Sequence, residues 1–495
     1  MENLMKNTLG LDKRRAGSWR HAGSFFATTL LSVAVGASGA YANDLLIRNA
    51  QLIDGTGAAP VDGMSILMID GIVSEIASTI EAPAGIKVID AAGKTVIPGL
   101  IDSHVHVNSV PGAVYRGDDL AFKKEQRKTH LRAYLANGIT SVLDTGISYD
   151  ALAEVRGLVA GGEPSPSIYT LGPPLAAPGG YSDEIPESYA MGYTVSDAND
   201  AAIKVAELAE AGVVGIKVQI EEGFAIEPVW PIHTQEVRDA LVNAAESHDL
   251  PVYVHGFSEK EQQIALDMNA HALVHGGFTF LPPSEGFVSR LKSAGSWVIS
   301  TMSVTDSQRV VDHPELMEHT HVKRSVPENQ LITAADINSQ KALVKEMGQI
   351  NTSAIIPDFL LELVFYVFPS LRTLPTEPAV EAISKFHDAG IPIVMGSDSG
   401  NWEIIPYEFH GPTSIREIEL LVNAGMTTEE ALAASTRLPS EMIGVADQIG
   451  TVELGKRADL VILEENPLLD IRALTSPAWV VKDGEARTPE GWMAD

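Results

Sequence analysis

Val96-Ile-Pro-Gly-Leu-Ile-Asp-Ser-His-Val-His106 reads as a strand that ends in two histidines one residue apart. In an extended chain residues i and i+2 point to the same side, so His104 and His106 present both imidazoles to one ion. Similar endings recur along the chain. Gly215-Ile-Lys217-Val sets a lysine among apolar neighbours, Val254-His255-Gly256 and Val274-His275-Gly276-Gly277 end apolar runs in histidine, and Met395-Gly-Ser-Asp398-Ser-Gly ends one in aspartate. Each has an ordinary explanation when taken singly. His-x-His arises by chance, a lysine can snorkel, and Gly-Ser-Asp can make a turn or a helix N-cap. Their combination, ordered along successive strands, is what those explanations do not cover.

The surrounding pattern alternates. Strands are expected at Val96–His106, 139–144, 167–171, 215–220, 251–255, 272–275, 297–302 and 391–398, with helices such as Asp197–Ala211 and Thr234–His248 between them, their apolar residues at helical spacing. Eight strands alternating with helices fit an α/β fold, a (β/α)8 TIM-like barrel, whose chemistry sits at the C-terminal strand ends. A doubly wound open sheet is the alternative, but no Gly-rich phosphate fingerprint follows an early strand. The gap over 303–390 exceeds one repeat and holds Phe359-Leu-Leu-Glu-Leu-Val-Phe-Tyr-Val-Phe368, either a packed helix or a lid. At both chain ends short strands are broken by Gly and Asp, as in Ser65-Ile-Leu-Met-Ile-Asp-Gly and Ala478-Trp-Val-Val-Lys-Asp-Gly. Neither end can bury a core alone, so the two are expected to combine in a small β-sandwich. The resulting division is 1–42 signal peptide, 43–98 first sandwich part, 99–445 barrel and 446–495 second sandwich part.

Composition narrows the chemistry. The chain has 495 residues, enough for roughly two or three domains, and 45 % hydrophobic against 20 % charged residues indicates a folded protein. Lys plus Arg total 35 against 65 for Asp plus Glu, a net charge of −30, which argues against nucleic acid or an anionic membrane surface as partner. With no cysteine, disulfides, thiolate nucleophiles and Cys-held metals are excluded, and any metal must be held by nitrogen and oxygen. Near the N-terminus, Lys13, Arg14, Arg15 and Arg20 precede a short apolar run, diluted by Gly, Ser and Thr, that ends in Ala40-Tyr41-Ala42. An export signal cleaved near Ala42 fits this better than a membrane span, so a periplasmic or secreted protein without a stable membrane anchor is expected.

The Val96–His106 stretch, the strand-four lysine, the two later histidines and the strand-eight aspartate together resemble the metal-dependent amidohydrolase superfamily. Gly425-Met-Thr-Thr-Glu-Glu-Ala-Leu and Gly455-Lys-Arg-Ala-Asp-Leu-Val resemble it too, so the likeness runs through nearly the whole mature chain, nearest the imidazolonepropionase-like and prolidase-like branch. The resemblance implies a two-metal site in which His104, His106 and Asp398 hold one ion and His255 and His275 the other. Lys217 would bridge them as a carbamate formed with carbon dioxide, because an ammonium cannot ligate a cation and a carbamate offers two anionic oxygens. It further implies attack by a metal-bound hydroxide, with Asp398 as base and then acid. Four imidazoles with oxygens favour zinc, with manganese, cobalt and iron as alternatives. The implied reaction is hydrolysis of an amide in a small molecule such as an N-acyl amino acid, a dipeptide or an aryl amide. Esters, lactones or carbamates are the alternative substrates, and an inactive binding protein is the alternative class.

Two positions are candidates for touching substrate. Tyr181 in Pro178-Gly-Gly-Tyr stands where relatives often carry His, and either donates a hydrogen bond or closes the loop. His410 in Phe409-His-Gly fits the family pattern, with a structural role favoured over a catalytic one. Ser435-Thr-Arg-Leu-Pro-Ser departs from the family pattern on the last helix, where packing rather than chemistry is affected. His233, His248, His313, His319, His321 and His387 read as surface or core histidines. Oligomeric state stays open, a homo-oligomer included.

Overall fold

The structure, a computed structural model, describes residues 44–181, 193–223, 230–276, 281–336, 338–339, 341–342, 375–401, 403 and 405–494. The expected export signal and the Phe359–Phe368 run lie outside the described residues. The first segment contributes β1 (Leu45–Leu52), β2 (Val61–Ile69), β3 (Ile72–Ala77), β4 (Lys87–Asp90) and β5 (Thr95–Pro98). The central stretch gives β6 (Leu100–Val105), β7 (Ile139–Asp144), β8 (Ser167–Thr170), β9 (Leu175–Ala176), β10 (Tyr193–Thr194), β11 (Ile216–Gln219), β12 (Val252–His255), β13 (Ala272–Val274), β14 (Trp297–Ile299) and β15 (Ile393–Val394). The last segment adds β16 (Leu460–Leu463), β17 (Pro477–Lys482) and β18 (Glu485–Arg487).

Strands from the two chain ends do pair with each other. Their order is β18-β17-β16-β5-β1-β2-β3, with β4 alongside β1. The seam is antiparallel β5–β16, from Thr95 opposite Leu463 to Pro98 opposite Leu460. β1 pairs with β4 over Leu45–Arg48 and with β5 at Gln51–Leu52, so one sheet forks there. Two separately paired sheets are not what the hydrogen bonds show. Ile47, Ile66, Met68, Val96, Leu460 and Ile462 are buried together against it, which supplies the core that neither end has alone.

The central strands are parallel, as runs buried on both faces require. β6-β7-β8 form one sheet and β10-β9-β11-β12-β13-β14-β15 another. Backbone bonds tie the two sheets together on both sides. Val214 N–H reaches Thr170 O at 3.0 Å, and on the far side Ser103 N–H reaches Met395 O at 3.0 Å and Asp398 N–H reaches His104 O at 2.8 Å. Between strands, Asp197 caps the helix Ala198–Glu210 and Thr234 caps Gln235–Ser247, each turning an apolar face (Val205 and Leu208, Val237 and Leu241) into the core.

One expected strand is two. Val96–His106 breaks at Gly99, whose N–H bonds Asp459 O at 2.8 Å while Leu100 N–H bonds Gly138 O at 3.0 Å. At this residue the chain leaves the antiparallel partner β16 and takes up the parallel partner β7. The approach is close enough that a Cβ on Gly99 would stand 2.0 Å from Thr140 Oγ1. Periodicity cannot reveal such a switch, because both halves are apolar.

In the 303–390 insertion the described residues form helices, including Ser303–Asp306, Thr320–Ser325, Glu328–Ala335 and Glu377–Asp388. Val310, Met317 and Val322 from it pack with Tyr407 and Phe409, and Tyr181 lies against the same cluster. No helix among the described residues is long and apolar enough to cross a membrane. Gly99→Ala is expected to cost about 1–3 kcal/mol through overpacking, and Thr140→Ala in the same chain should recover part of it. Denaturant unfolding of both variants checks this.

Candidate metal centre

The parallel strands end on one side, and the residues singled out there come together. His104 lies in β6 and His106 just after it, Lys217 in β11, His255 at the end of β12, His275 after β13 and Asp398 after β15. All six are buried. His104 Nε2 and His106 Nε2 stand 3.4 Å apart, and each is 3.1 Å from Asp398 Oδ1. Lys217 Nζ is 3.5 Å from His104 Nε2 and 3.4 Å from Thr145 Oγ1. His275 packs against both neighbours, with ring centroids 4.7 Å from His104 and 4.7 Å from His255.

This donor set suits a metal ion. Donors around a tetrahedral ion with bonds of about 2.0–2.2 Å stand roughly 3.3–3.6 Å apart, close to the spacing of the His104, His106 and Asp398 atoms. Burial lowers His104 to about 3 and pushes His255 and His275 well below the ordinary imidazole range, so all three keep lone pairs at neutral pH. His106 Nδ1 donates to Gly146 O at 3.2 Å, which leaves its Nε2 free for an ion, while His275 Nδ1 stands 3.1 Å from Thr301 Oγ1 and 3.8 Å from Asp398 Oδ2. Burial opposes charge on Asp398, but contacts with His104 and His106 outweigh it and hold the carboxyl well below its usual range. Both ring nitrogens of His255 and Oδ1 of Asp398 are buried without a hydrogen-bond partner. Leaving such atoms unpaired costs roughly 1–3 kcal/mol each, a cost that coordination removes. Lys217 is lowered to about 8 by burial, against the pull of Asp398 and Asp144, which increases its share of neutral amine.

Comparison with known proteins fits this geometry. The model of the Amidohydrolase family matches residues 95–486. The chain belongs to the amidohydrolase family. Among curated relatives, the dihydroorotase of Pelobacter propionicus is 37 % identical over 99 residues, 20 % of this chain and 21 % of that protein. The dihydroorotase of Geobacter sulfurreducens is 40 % identical over 99 residues, again 20 % and 21 %. This amidohydrolase thus matches about a fifth of the length of those relatives. Among solved structures, a Xaa-Pro dipeptidase with bound methionine in the active site superposes with TM-score 0.67 at 22 % identity, over 90 % of this chain and 99 % of that one. Molinate hydrolase gives 0.67 at 20 % identity over 91 % and 96 %, and ochratoxinase of A. niger 0.65 at 19 % over 91 % and 98 %. At those identities the likeness is one of fold.

Several residues of the amidohydrolase site carry no motif that sequence reading picks up. Asp102 accepts from Ser397 N, Ser397 Oγ, Ser414 Oγ and His104 N at 2.6–3.1 Å, tying β6 to the Asp398 loop. Its place two residues before His104, on the same face of the strand, is the signal that was there to use. Asp144 takes the N–H groups of Val107 and Gly146 and so fixes the turn that bonds His106. Glu417 accepts from Ser300 Oγ, Met302 N and Ser303 N, which brackets Thr301, the partner of His275. Glu221 Oε2 is 3.5 Å from His255 Nε2, and Phe257 packs on His255 and His275 at 4.8 and 4.6 Å.

Tyr181 stacks on His255, centroids 5.2 Å apart and 21° between planes, and meets Trp230 edge-on. It therefore faces the centre. His410 spends both ring nitrogens inside the fold, Nδ1 on Tyr134 OH at 2.8 Å and Nε2 on Ser109 O at 3.0 Å. Tyr134 OH in turn bonds Ser399 Oγ at 2.7 Å, so His410 braces the residue after Asp398. His233, read from sequence as ordinary, is buried with neither ring nitrogen in a geometric hydrogen bond.

Burial pushes Glu417 up from 4.5 to about 7, against its hydrogen bonds. Between those values the folded state keeps a proton that the unfolded chain releases, so this residue makes stability fall as pH rises, by about 3 kcal/mol in total. Stability measured from pH 4 to 8 is expected to fall more steeply in the unmodified protein than in Glu417→Gln. Equal slopes would mean that Glu417 stays ionised throughout.

Proposed function

We propose that this amidohydrolase is a binuclear metal-dependent enzyme that hydrolyses the amide C–N bond of a small molecule, an N-acyl amino acid, a dipeptide or an aryl amide. The observation that carries the reading is the convergence of His104 Nε2, His106 Nε2 and Asp398 Oδ1, with Lys217 Nζ beside them. His104, His106 and Asp398 would hold one divalent ion and His255 and His275 a second, with Lys217 bridging as its carbamate. A set of imidazoles and oxygens favours zinc. A dipeptidase among the proteins of similar fold supports the dipeptide class. In this reading β6–β8 and β11–β15 close into a (β/α)8 barrel, accompanied by the forked β-sheet that the chain ends build.

When bound, the ions supply Lewis acidity and lower the pKa of water toward neutrality. The protein's own groups do the rest. Asp398 is ionised, so its carboxylate can accept the proton of the attacking water and pass it to the amide nitrogen, which leaves poorly unless protonated. Burial of all six residues keeps bulk water away, so charges in the centre act in a low dielectric. Tyr181, flat on His255, borders the substrate space, and His410 positions the Asp398 loop through Tyr134 and Ser399.

Elemental analysis of the purified protein should find about two divalent ions per chain. Asp398→Asn is expected to lower kcat on the best amide by roughly 10²–10⁴, and Lys217→Ala to lose both metal and turnover. Retained metal without turnover of any amide or ester would favour a binding protein. Esters, lactones or carbamates turning over far faster than amides would shift the assignment to that class.

A further inference from the structure

Among the described residues, most buried carboxyl groups are matched. Asp102, Asp144 and Glu417 accept several N–H or hydroxyl groups each, and Asp459 faces Lys482 at 3.1 Å. Among the described residues, the acids with a buried oxygen that has no hydrogen-bond partner are Glu221, Asp398 and Glu408. All three lie close enough to one side chain, Tyr181, to oppose its ionisation. Asp398 belongs to the metal centre and Glu221 Oε2 borders His255. Glu408 has no such account. It is fully buried, and neither of its oxygens is bonded.

Its place in the fold is well defined. Glu408 O accepts from Gly400 N–H at 3.0 Å, which pins the residue to the turn two positions after Asp398. Its neighbours Tyr407 and Phe409 pack in the apolar cluster that Tyr181 also joins. On the same loop, Glu403 is paired with Lys123, so an acid there can be given a cation by the fold. Glu408 is not. Burial and the nearby Asp398 raise the Glu408 carboxyl well above its usual range, so without a ligand it keeps its proton and still lacks a partner. A cationic N–H group both draws off that proton and gives donors to both oxygens, as Lys482 does for the two oxygens of Asp459.

We infer that Glu408 is the counter-charge of a cation-binding subsite beside the metal centre, and that the substrate carries an ammonium or guanidinium group near its scissile amide. This rests on the proposed metal-dependent hydrolysis. It narrows the substrate class within it to cationic amides.

The test uses hydroxamates, which anchor on the metals through the same group whatever their tail. Glycine, β-alanine and 4-aminobutanoic hydroxamates are compared with their uncharged isosteres propiono-, butyro- and valerohydroxamate, by calorimetry on the metal-loaded enzyme. At one chain length or more the ammonium compound should bind at least roughly tenfold tighter than its isostere. Glu408→Gln should abolish that preference while the neutral compounds bind as before. Glu408→Asp, which keeps the charge one methylene further back, should restore it with the optimum moved to a longer tail, and serves where the Gln variant fails to fold. Hydroxamates that bind with no charge preference, or a preference that survives in Glu408→Gln, overturn the subsite and leave the hydrolase reading standing. No binding of any hydroxamate overturns the metal-centre reading and this one with it.

Discussion

The structure depends on one costly arrangement, several polar side chains buried at the same ends of a set of parallel strands. Lone pairs of His104 and His106 and the charge of Asp398 meet within 3.1–3.4 Å, where water cannot easily compensate them. Such a cluster persists only if each member is held from behind. Asp102 holds β6 to the Asp398 loop, Asp144 holds the turn next to His106, and Glu417 holds the turn next to His275. These acids bond backbone and hydroxyl groups behind the cluster and so decide where the candidate ligating atoms stand. Divalent cations, as proposed, would supply the attraction that makes the centre a minimum rather than a defect.

Backbone conformation carries part of that cost. His275, Thr301 and Asp398 have φ of 65°, 52° and 56°, in the left-handed region that side chains avoid. Asp tolerates it, but Thr301 is β-branched and its Oγ1 is the partner of His275 Nδ1. Strain of order 1–3 kcal/mol per residue persists where the surroundings over-determine it, and here it clusters at residues that aim or constitute the proposed metal ligands. The strands must end abruptly for imidazole and carboxylate to turn inward, and a left-handed residue is the tightest way to end one.

Much of this was legible because the chemistry uses short-range geometry. His-x-His needs only the alternation of a strand, and Lys217, His255, His275 and Asp398 each follow or sit within an apolar run that a strand reading places. The break at Gly99 was not legible, because it is set by Thr140, far along the chain and a contact that no local pattern encodes. The two-residue strands β9 and β10 were missed for a similar reason, since runs that short exist only through their neighbours. The role of His410 follows from partners in three separate segments, Ser109, Tyr134 and Ser399. Glu408 lies in a Tyr-Glu-Phe-His string that reads as ordinary loop, and only the lack of any partner in the folded chain marks it out.

The loop from Asp398 to His410 thus does two jobs. It begins with the residue proposed to move the proton, and its far end is fixed from behind by His410 through Tyr134 and Ser399. Between these points lies a carboxylate that is not needed for the fold's own bonding. The overall charge of −30 says little about a buried cleft, since surface charges are screened by solvent within about 10 Å. Inside, screening is weak, and Tyr181 is bordered by Asp398, which is held ionised, and by Glu221 and Glu408, whose carboxyls burial pushes up. Ions at the strand ends would hold the reacting carbonyl, while the proposed subsite at Glu408 would decide which end of an asymmetric substrate faces Tyr181. Catalysis and orientation would then be carried by one short segment, and loop changes confined to it could alter what is cleaved without touching how.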